Sequence, residues 1–551
     1  MTEPKLYRRT FLAGLGGLIT SLTIPDVGSA AEKDGNPGPQ RRAGRFGDIQ
    51  ESTVFDVCII GSGFAGAILG DALVKHGIKT VILESGADPR APSVDPRIQQ
   101  LEVYRSSGPI AYPVVSSRFR GVGGTSWLWG GMCPRLQPID FENNPYTPPG
   151  AAWPVKYKDL QSYYEKAEQA LRVRGGKRSK YHPPRNVDFP VRTDRNVSPL
   201  ESMLLEAGII IADIPYSTPK DHAPWFLRDH FGPFVRMTDS HLPVFQSSPF
   251  GSLISEVTVT RLIGDKAGNI AGVEIKDLDR NSKILRARVY IVACGGLESP
   301  RLLLLSRSAA FPNGVGNNHD LVGRFFMEHR THTFKGQARL GWQTFSLFQI
   351  RGQSYQFYEK SKDLGLGGMT LGFWLDRAID HLEITAGEFG KALSRVNTRK
   401  LEVDMDTEMK PSPENRVTLD AKSKDYFGNP GTSLFVNESE EDAKTVDGGK
   451  KIVRKIYADL GIDQMEEIPS YTWGHHHMGT CRMGANPRTS VVDPNLRVHG
   501  TRNLFVAGSS VFVTSGAANP TLTLTALTFR LSDHLRSQLQ KGAFPAPSGT
   551  S

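Results

Sequence analysis

Cysteine is scarce in this chain. Its 551 residues contain four, Cys58, Cys133, Cys294 and Cys481, scattered and with no C-x-x-C pair. That argues against a structural zinc site or an iron–sulfur cluster. A chain with so large a potential core also has little use for a disulfide framework. Long blocks of one charge are missing too. The net charge of +9 comes from 66 basic and 57 acidic residues spread along the chain, which gives nucleic-acid binding little electrostatic support. No apolar run reads as transmembrane: the stretch from Ala13 to Pro25 is short and rich in glycine. What is present is ordinary for a soluble globular protein, 39% hydrophobic and 22% charged. The length predicts two domains or one large composite.

Arg8-Arg9-Thr10-Phe11-Leu12 precedes that apolar stretch, and the small residues Gly28, Ser29, Ala30 and Ala31 follow it. This is the layout of a twin-arginine export signal occupying residues 1–31, with cleavage near Ala30 or Ala31. It predicts an exported, periplasmic protein; a short hydrophobic anchor behind two arginines is the bland alternative. Residues 32–52, rich in Gly, Pro, Arg and Asp, read as a flexible leader.

Order is expected from Phe55. Val57 to Ile60 reads as a short buried strand, Ala65 to Lys75 as a helix stopped by Gly77, and Thr80 to Leu83 as a second strand. A later strand, Val289 to Ala293, leads into a helix from Ser299 to Leu305. Leu504 to Ala507 is another strand, and Thr521 to Leu539 a helix. Such pieces, far apart in sequence, predict one doubly wound α/β domain interrupted by insertions. Among the insertions, Lys158 to Val173 has an apolar helix face of Leu160, Tyr163, Tyr164, Ala167 and Leu171. Gly336 to Glu402, with Trp342, Phe345, Phe348, Phe357, Phe373 and Trp374, reads as sheet of a second domain.

Gly61-Ser62-Gly63-Phe64-Ala65-Gly66 fits G-x-G-x-x-G between strand and helix. Its glycines permit a tight turn, backbone approach to a pyrophosphate, and helix-on-strand packing, with the helix N-terminus facing the phosphates. Glu84 ends the next strand, where a carboxylate can accept hydrogen bonds from a ribose diol. This motif does not separate FAD from NAD. A second glycine-rich loop does: Arg120-Gly121-Val122-Gly123-Gly124-Thr125-Ser126-Trp127-Leu128-Trp129-Gly130-Gly131-Met132 is dense in backbone donors. A flavin ring must be held flat with donors at its redox-active edge, whereas a nicotinamide needs no such loop. The alternative, an irregular surface loop, fits poorly with paired glycines beside two tryptophans.

His475-His476-His477-Met478-Gly479-Thr480 precedes Gly516-Ala517-Ala518-Asn519-Pro520-Thr521. Asn519 reads as an N-cap and Pro520 as the first helical residue, so the positive end of a helix could face a reduced flavin. Adjacent side chains diverge and no carboxylate or cysteine sits at ligand spacing, so the histidines are not read as a metal site.

The order of these motifs resembles the glucose–methanol–choline (GMC) family of FAD oxidoreductases, from Phe55 to about Arg536. Further matches are Ala293-Cys294-Gly295-Gly296-Leu297-Glu298-Ser299-Pro300 and Leu321-Val322-Gly323-Arg324-Phe325-Phe326-Met327-Glu328-His329. Trp153-Pro154, Tyr163-Tyr164, Pro413-Glu414-Asn415-Arg416 and Asn519-Pro520-Thr521 are similar to its sugar-oxidising branch. The resemblance implies a discontinuous, doubly wound Rossmann-like FAD domain (53–150, 250–330, 485–540). An α+β substrate domain on an antiparallel sheet (151–249, 331–484) would complete the chain, with His476 at the interface. It also implies that Gly61, Gly63, Phe64, Ala65, Gly66, Glu84, Arg120, Gly124, Thr125, Trp129, Gly130, Gly131, Met132, Val259, Ala293, Gly508, Ser509, Pro520 and Thr521 surround FAD.

His476 takes the position of the catalytic base and Asn519 that of its partner; His475 or His477 is the base if the register is off by one. A neutral imidazole suits removal of a hydroxyl proton, and Asn519 can hold the same hydroxyl while hydride passes to flavin N5. Leu128 stands where some relatives carry a flavin-linking histidine, which implies non-covalent FAD. Ser198 to Ser255 has no cysteine, so the cluster of some sugar dehydrogenases is absent. The implied donor is a CH–OH group of a sugar, glycoside or polyol, with a sterol or simple alcohol as the alternative. The implied acceptor is a cytochrome, quinone or oxygen, dehydrogenase being favoured over oxidase by analogy with exported relatives. A small exported subunit is a further possible partner.

Overall fold

The computed structural model describes residues 43–148, 150–176, 179–192, 198–218, 235–339, 350–375, 398–462, 464–468 and 472–544. The export signal expected at 1–31, and Trp342, Phe345 and Phe348, lie outside them.

A parallel sheet runs in the order Gly251–Ile254, Thr80–Leu83, Val54–Ile60, Ser282–Val292, Leu504–Val506. Thr80–Leu83 is buried at every position and Val54–Ile60 at most, as expected of parallel strands covered on both faces. Ser282–Val292 is long enough to serve two partners. Its first half pairs antiparallel with Ile270–Lys276, which in turn pairs with Thr258–Gly264, and its second half lies parallel to Val54–Ile60. Strand segments from three distant regions of sequence thus close one doubly wound domain.

The second layer is an antiparallel sheet in the order Ile350–Ser354, Met369–Leu375, Thr398–Thr407, Arg330–Arg339, Met465–Glu467. Its strands alternate with period two. Phe334, Leu371, Phe373, Leu401, Val403 and Met405 form one buried face, packed with Val453, Ile456 and Tyr457 of the helix Glu440–Asp459. The other face carries Thr331, Thr333, Thr370, Trp374, Asp404 and Asp406. A third sheet of Arg416–Lys424, Pro430–Phe435 and Tyr104–Ser107 combines residues from both expected domains.

Four details differ from the sequence expectations. The leader is shorter: Gly44 N donates to Leu253 O, Ile49 is buried, and Lys283 Nζ donates to the carbonyls of Phe46 and Ile49. These long-range contacts leave no local periodicity to detect. The helix Tyr157–Ala170, assigned by sequence to the substrate domain, shares the core of the parallel-sheet domain; Tyr164 Oη and Thr523 Oγ1 are 2.8 Å apart. Phe357 lies in a helix, Gln356–Asp363, rather than in sheet. The helix expected from Ser299 begins at Gly295 and runs through Pro300. Proline lacks the N–H that would reach the Gly296 carbonyl, and Thr480 Oγ1 supplies that donor instead at 2.7 Å.

Candidate active site

A cleft enclosing about 1260 Å³, open mouth included, runs along the carboxyl ends of the parallel strands, where open α/β sheets bind ligands. Its wall includes Gly61, Gly63, Phe64 and Ala65 from the first glycine loop, and Arg120, Gly124 and Thr125 from the second. Glu84, Val259, Ala293, Gly508 and Ser509 line it as well. Gly66, Trp129, Gly130, Gly131, Met132, Pro520 and Thr521 are not among its lining residues.

The two glycine loops form one cradle. Gly124 has φ +52°, and a Cβ there would stand 2.9 Å from Gly63 Cα, so only glycine allows the backbones to meet. A Cβ on Gly66 would lie 1.9 Å from Gly61 O, so this glycine serves the close helix–strand packing. Phe64 meets Trp129 edge-on at 4.6 Å between centroids, which fixes the far half of the second loop against the first helix.

Glu84 is tied into the cradle by its own chain. Its carboxylate accepts from Ser62 N at 3.0 Å, Ser62 Oγ at 2.7 Å and Gly86 N at 2.9 Å. Sequence reasoning missed Ser62, whose Oγ also accepts from Gly123 N at 3.1 Å and so links the loops. It also missed Arg118 and Glu298 in the cleft wall. Burial would raise the Glu298 carboxyl, but the guanidinium groups of Arg301, Arg120 and Arg118 hold it at about 2. The donor set fits FAD: glycines Gly61, Gly63 and Gly124 at a helix N-terminus leave room for the pyrophosphate, with a carboxylate one strand away.

The histidine run lies between the two layers, just after Thr472–Trp473, which pairs with Arg330 and Thr331. His475 has φ +58° and is exposed; this turn separates the three rings. His476 Nε2 is 3.3 Å from Asn519 Nδ2, and its Nδ1 is 2.9 Å from His329 Nδ1. His477 Nε2 instead meets Tyr112 Oη at 2.8 Å and Ser117 Oγ at 3.0 Å. Burial, then the neighbouring histidines, push the His476 pKa well below 6.5. Burial likewise lowers His477 to about 3 and His329 to about 4. All three rings are therefore neutral near pH 7.

Asn519 does not cap the following helix. Pro520 holds the cap position of Thr521–Gln540 and no side chain caps it; the Asn519 amide faces His476 instead. Beneath the pair lies Glu328, missed as a site residue. Its Oε1 accepts from His476 N at 2.5 Å and His329 N at 2.9 Å, and its Oε2 accepts from Tyr112 Oη at 2.5 Å. Burial raises this carboxyl to about 7 despite those donors. Glu328 and His329 were visible only as part of a longer motif, because their partners come from distant strands.

Residues 243–331 and 411–528 match family models described as GMC oxidoreductase, and residues 54–106 match an FAD-binding domain. The chain is 25% identical to the fructose dehydrogenase large subunit of Gluconobacter japonicus, over 89% of this chain and 99% of that one. It is 27% identical to paromamine 6'-oxidase of Streptomyces fradiae, over 90% and 93% respectively. Formate oxidase of Aspergillus oryzae shares the fold, with a TM-score of 0.60 at 16% identity over 90% of this chain and 100% of that one.

Proposed function

The chain belongs to the GMC oxidoreductase family with FAD as its cofactor, and on that premise we propose that it oxidises a secondary or hemiacetal hydroxyl of a sugar, glycoside or polyol. FAD bound in the glycine cradle supplies the two-electron acceptor. His476 is proposed as the base and Asn519 as the group that holds the substrate hydroxyl. Their side-chain nitrogens are 3.3 Å apart, close enough for one hydroxyl to meet both. Its proton goes to His476 Nε2 while its oxygen accepts from the Asn519 amide. The low pKa of His476 keeps its ring neutral, and so able to take up a proton, across the neutral range.

The observation that carries the substrate class is the polar face of the antiparallel sheet. Thr331, Asp406 and Thr370 form one row across it, and Thr370 Oγ1 donates to Ala517 O at 3.3 Å, two residues before Asn519. Asp406 and Asp404 accept hydroxyl hydrogen bonds from Thr331 at 2.5 Å and Thr333 at 2.6 Å. Trp374 lies on the same face two rows beyond Thr370, with the Arg351 guanidinium 4.9 Å from its ring centre. Carboxylates, hydroxyls and an indole suit a ring bearing several hydroxyls; a sterol would meet mostly polar atoms. The fructose dehydrogenase relative agrees with this class.

The test is the visible spectrum of the FAD-loaded protein before and after anaerobic addition of sugars, glycosides, polyols, sterols and simple alcohols. Bleaching by a sugar or polyol supports the proposal; bleaching by sterols or simple alcohols alone overturns the substrate class. Reoxidation by a quinone or cytochrome faster than by oxygen is expected of a dehydrogenase, and a small exported subunit would couple to the same step. Leu128 is 56% exposed and cannot link a flavin, so acid precipitation is expected to release the FAD. Export through the twin-arginine route is part of the proposal, resting on Arg8 and Arg9. Replacing both by lysine is expected to leave unprocessed protein in the cytoplasm; unchanged export would point to another signal.

A further inference from the structure

Glu328 and His329 grip His476 from two sides, the carboxylate at its backbone N–H and the ring at its Nδ1. The His329 contact carries information that the backbone contact does not. We infer that His329 is a positioning residue that holds His476 in the tautomer with a proton on Nδ1 and a bare Nε2 facing Asn519. The inference rests on the reading of His476 as the base and adds what prepares it.

The assignment follows from one carbonyl. His329 Nε2 is 2.9 Å from Gly516 O. A carbonyl oxygen only accepts, so His329 Nε2 carries a hydrogen. Burial keeps the His329 ring neutral, so its Nδ1 has only a lone pair. That lone pair is 2.9 Å from His476 Nδ1, which must therefore be the N–H donor. His476 is neutral too, and its single ring proton is then accounted for. Nε2 is bare, and the Asn519 amide N–H donates to it at 3.3 Å. Reversing the chain would set two bare acceptors, His329 Nε2 and Gly516 O, against each other in a buried place, which is costly.

Gly516 and Asn519 belong to the same short loop before the Thr521–Gln540 helix. One end of that loop sets the tautomer through His329, and the other presents the amide to the nitrogen so exposed. A base in the opposite tautomer has its proton where the substrate's must go. His329 also remains an acceptor for Nδ1–H once His476 has taken the substrate proton, so the same contact serves both protonation states. Loss of a group that holds a catalytic imidazole in its tautomer costs up to about 10⁴ in rate elsewhere.

The test joins a spectroscopic and a kinetic readout on the FAD-loaded enzyme. Nitrogen-15 NMR of the histidine rings, with His476 identified by the signals missing from His476→Ala, is expected to show Nδ1 protonated and Nε2 bare without substrate. In His329→Leu the tautomer is expected to shift towards Nε2–H. The rate of flavin reduction then falls at least about tenfold, with KM, flavin content and melting temperature close to wild type. His329→Asn, whose Oδ1 can accept near the place of Nδ1, is expected to recover most of that rate. Protonated Nε2 in the wild type overturns the inference. So does wild-type flavin reduction in His329→Leu, or failure of His329→Asn to improve on it. If His329→Leu does not fold, the wild-type spectrum and His329→Asn still decide. Undiminished reduction in His476→Ala beside a wild-type Nδ1–H signal would overturn the base reading while leaving the tautomer assignment standing.

Discussion

Replacing His476 with alanine is expected to leave the protein yellow and to slow flavin reduction by at least ~10²-fold, about 2.7 kcal/mol in barrier. The two halves of that result come from separate places in the structure. His476 is not among the residues lining the cofactor cleft, and the cradle of Gly61, Gly63 and Gly124 does not depend on its ring. Loss of the imidazole therefore removes the acceptor for the hydroxyl proton and leaves the flavin bound. Asn519 would remain as a donor to the hydroxyl oxygen, which aligns the substrate but cannot take its proton.

The same reading fixes the sign of the pH dependence. The folded pKa of His476 lies well below 6.5, so the base stays competent as pH falls through 6.5 and is lost only well below it. Glu328, raised to about 7, is the neighbouring group that can add a second limb, and Glu328→Gln removes it. Stopped-flow reduction against pH in that variant isolates His476. A loss centred at or above 6.5, or reduction at the wild-type rate in His476→Ala, would refute the assignment.

Gly63→Val is expected to fold and to lose FAD. Most glycines of the cradle cannot separate these effects: a Cβ at Gly66 would clash with Gly61 O at 1.9 Å, so a substitution there strains the fold itself. At Gly63 the nearest atom to an added Cβ is Gly124 Cα at 3.9 Å, an ordinary contact, and φ is −69°. The chain tolerates a side chain at that point, whereas a pyrophosphate lying on the helix N-terminus would not. Wild-type circular dichroism with less than a tenth of the wild-type flavin absorbance is the expected outcome. A fully flavinylated Gly63→Val protein would mean that the phosphates lie elsewhere.

The parts of the site legible in sequence were those with a local physical signature. Gly61-Ser62-Gly63 announces a turn between strand and helix because only small residues fit the bend and the approach of a ligand. The paired Gly123-Gly124 marked a second backbone-lined loop for the same reason. His476 and Asn519 were legible as candidates through residue type and motif order. Asn519 was also read as an N-cap, which is its commonest use, and there the structure differs because the amide faces a histidine from another segment. The helix was read as starting at Ser299 rather than at Gly295, and the donor from Thr480 that lets it run through Pro300 is remote in sequence.

The amino-acid sequence by itself determined the two glycine loops, the parallel strands that present them, and the residue types available for the chemistry. Each depends on φ/ψ limits or on short-range hydrophobic period, which neighbouring residues set. Tertiary structure decided which of three adjacent histidines meets Asn519, through the positive φ of His475 and partners from distant strands. It also decided that Glu328 and His329 close around His476, and that the sheet turns Thr331, Asp404, Asp406 and Trp374 to one polar face. Those outcomes depend on where separate chain segments pack, because a hydrogen bond between residues far apart in sequence leaves no pattern in either segment alone.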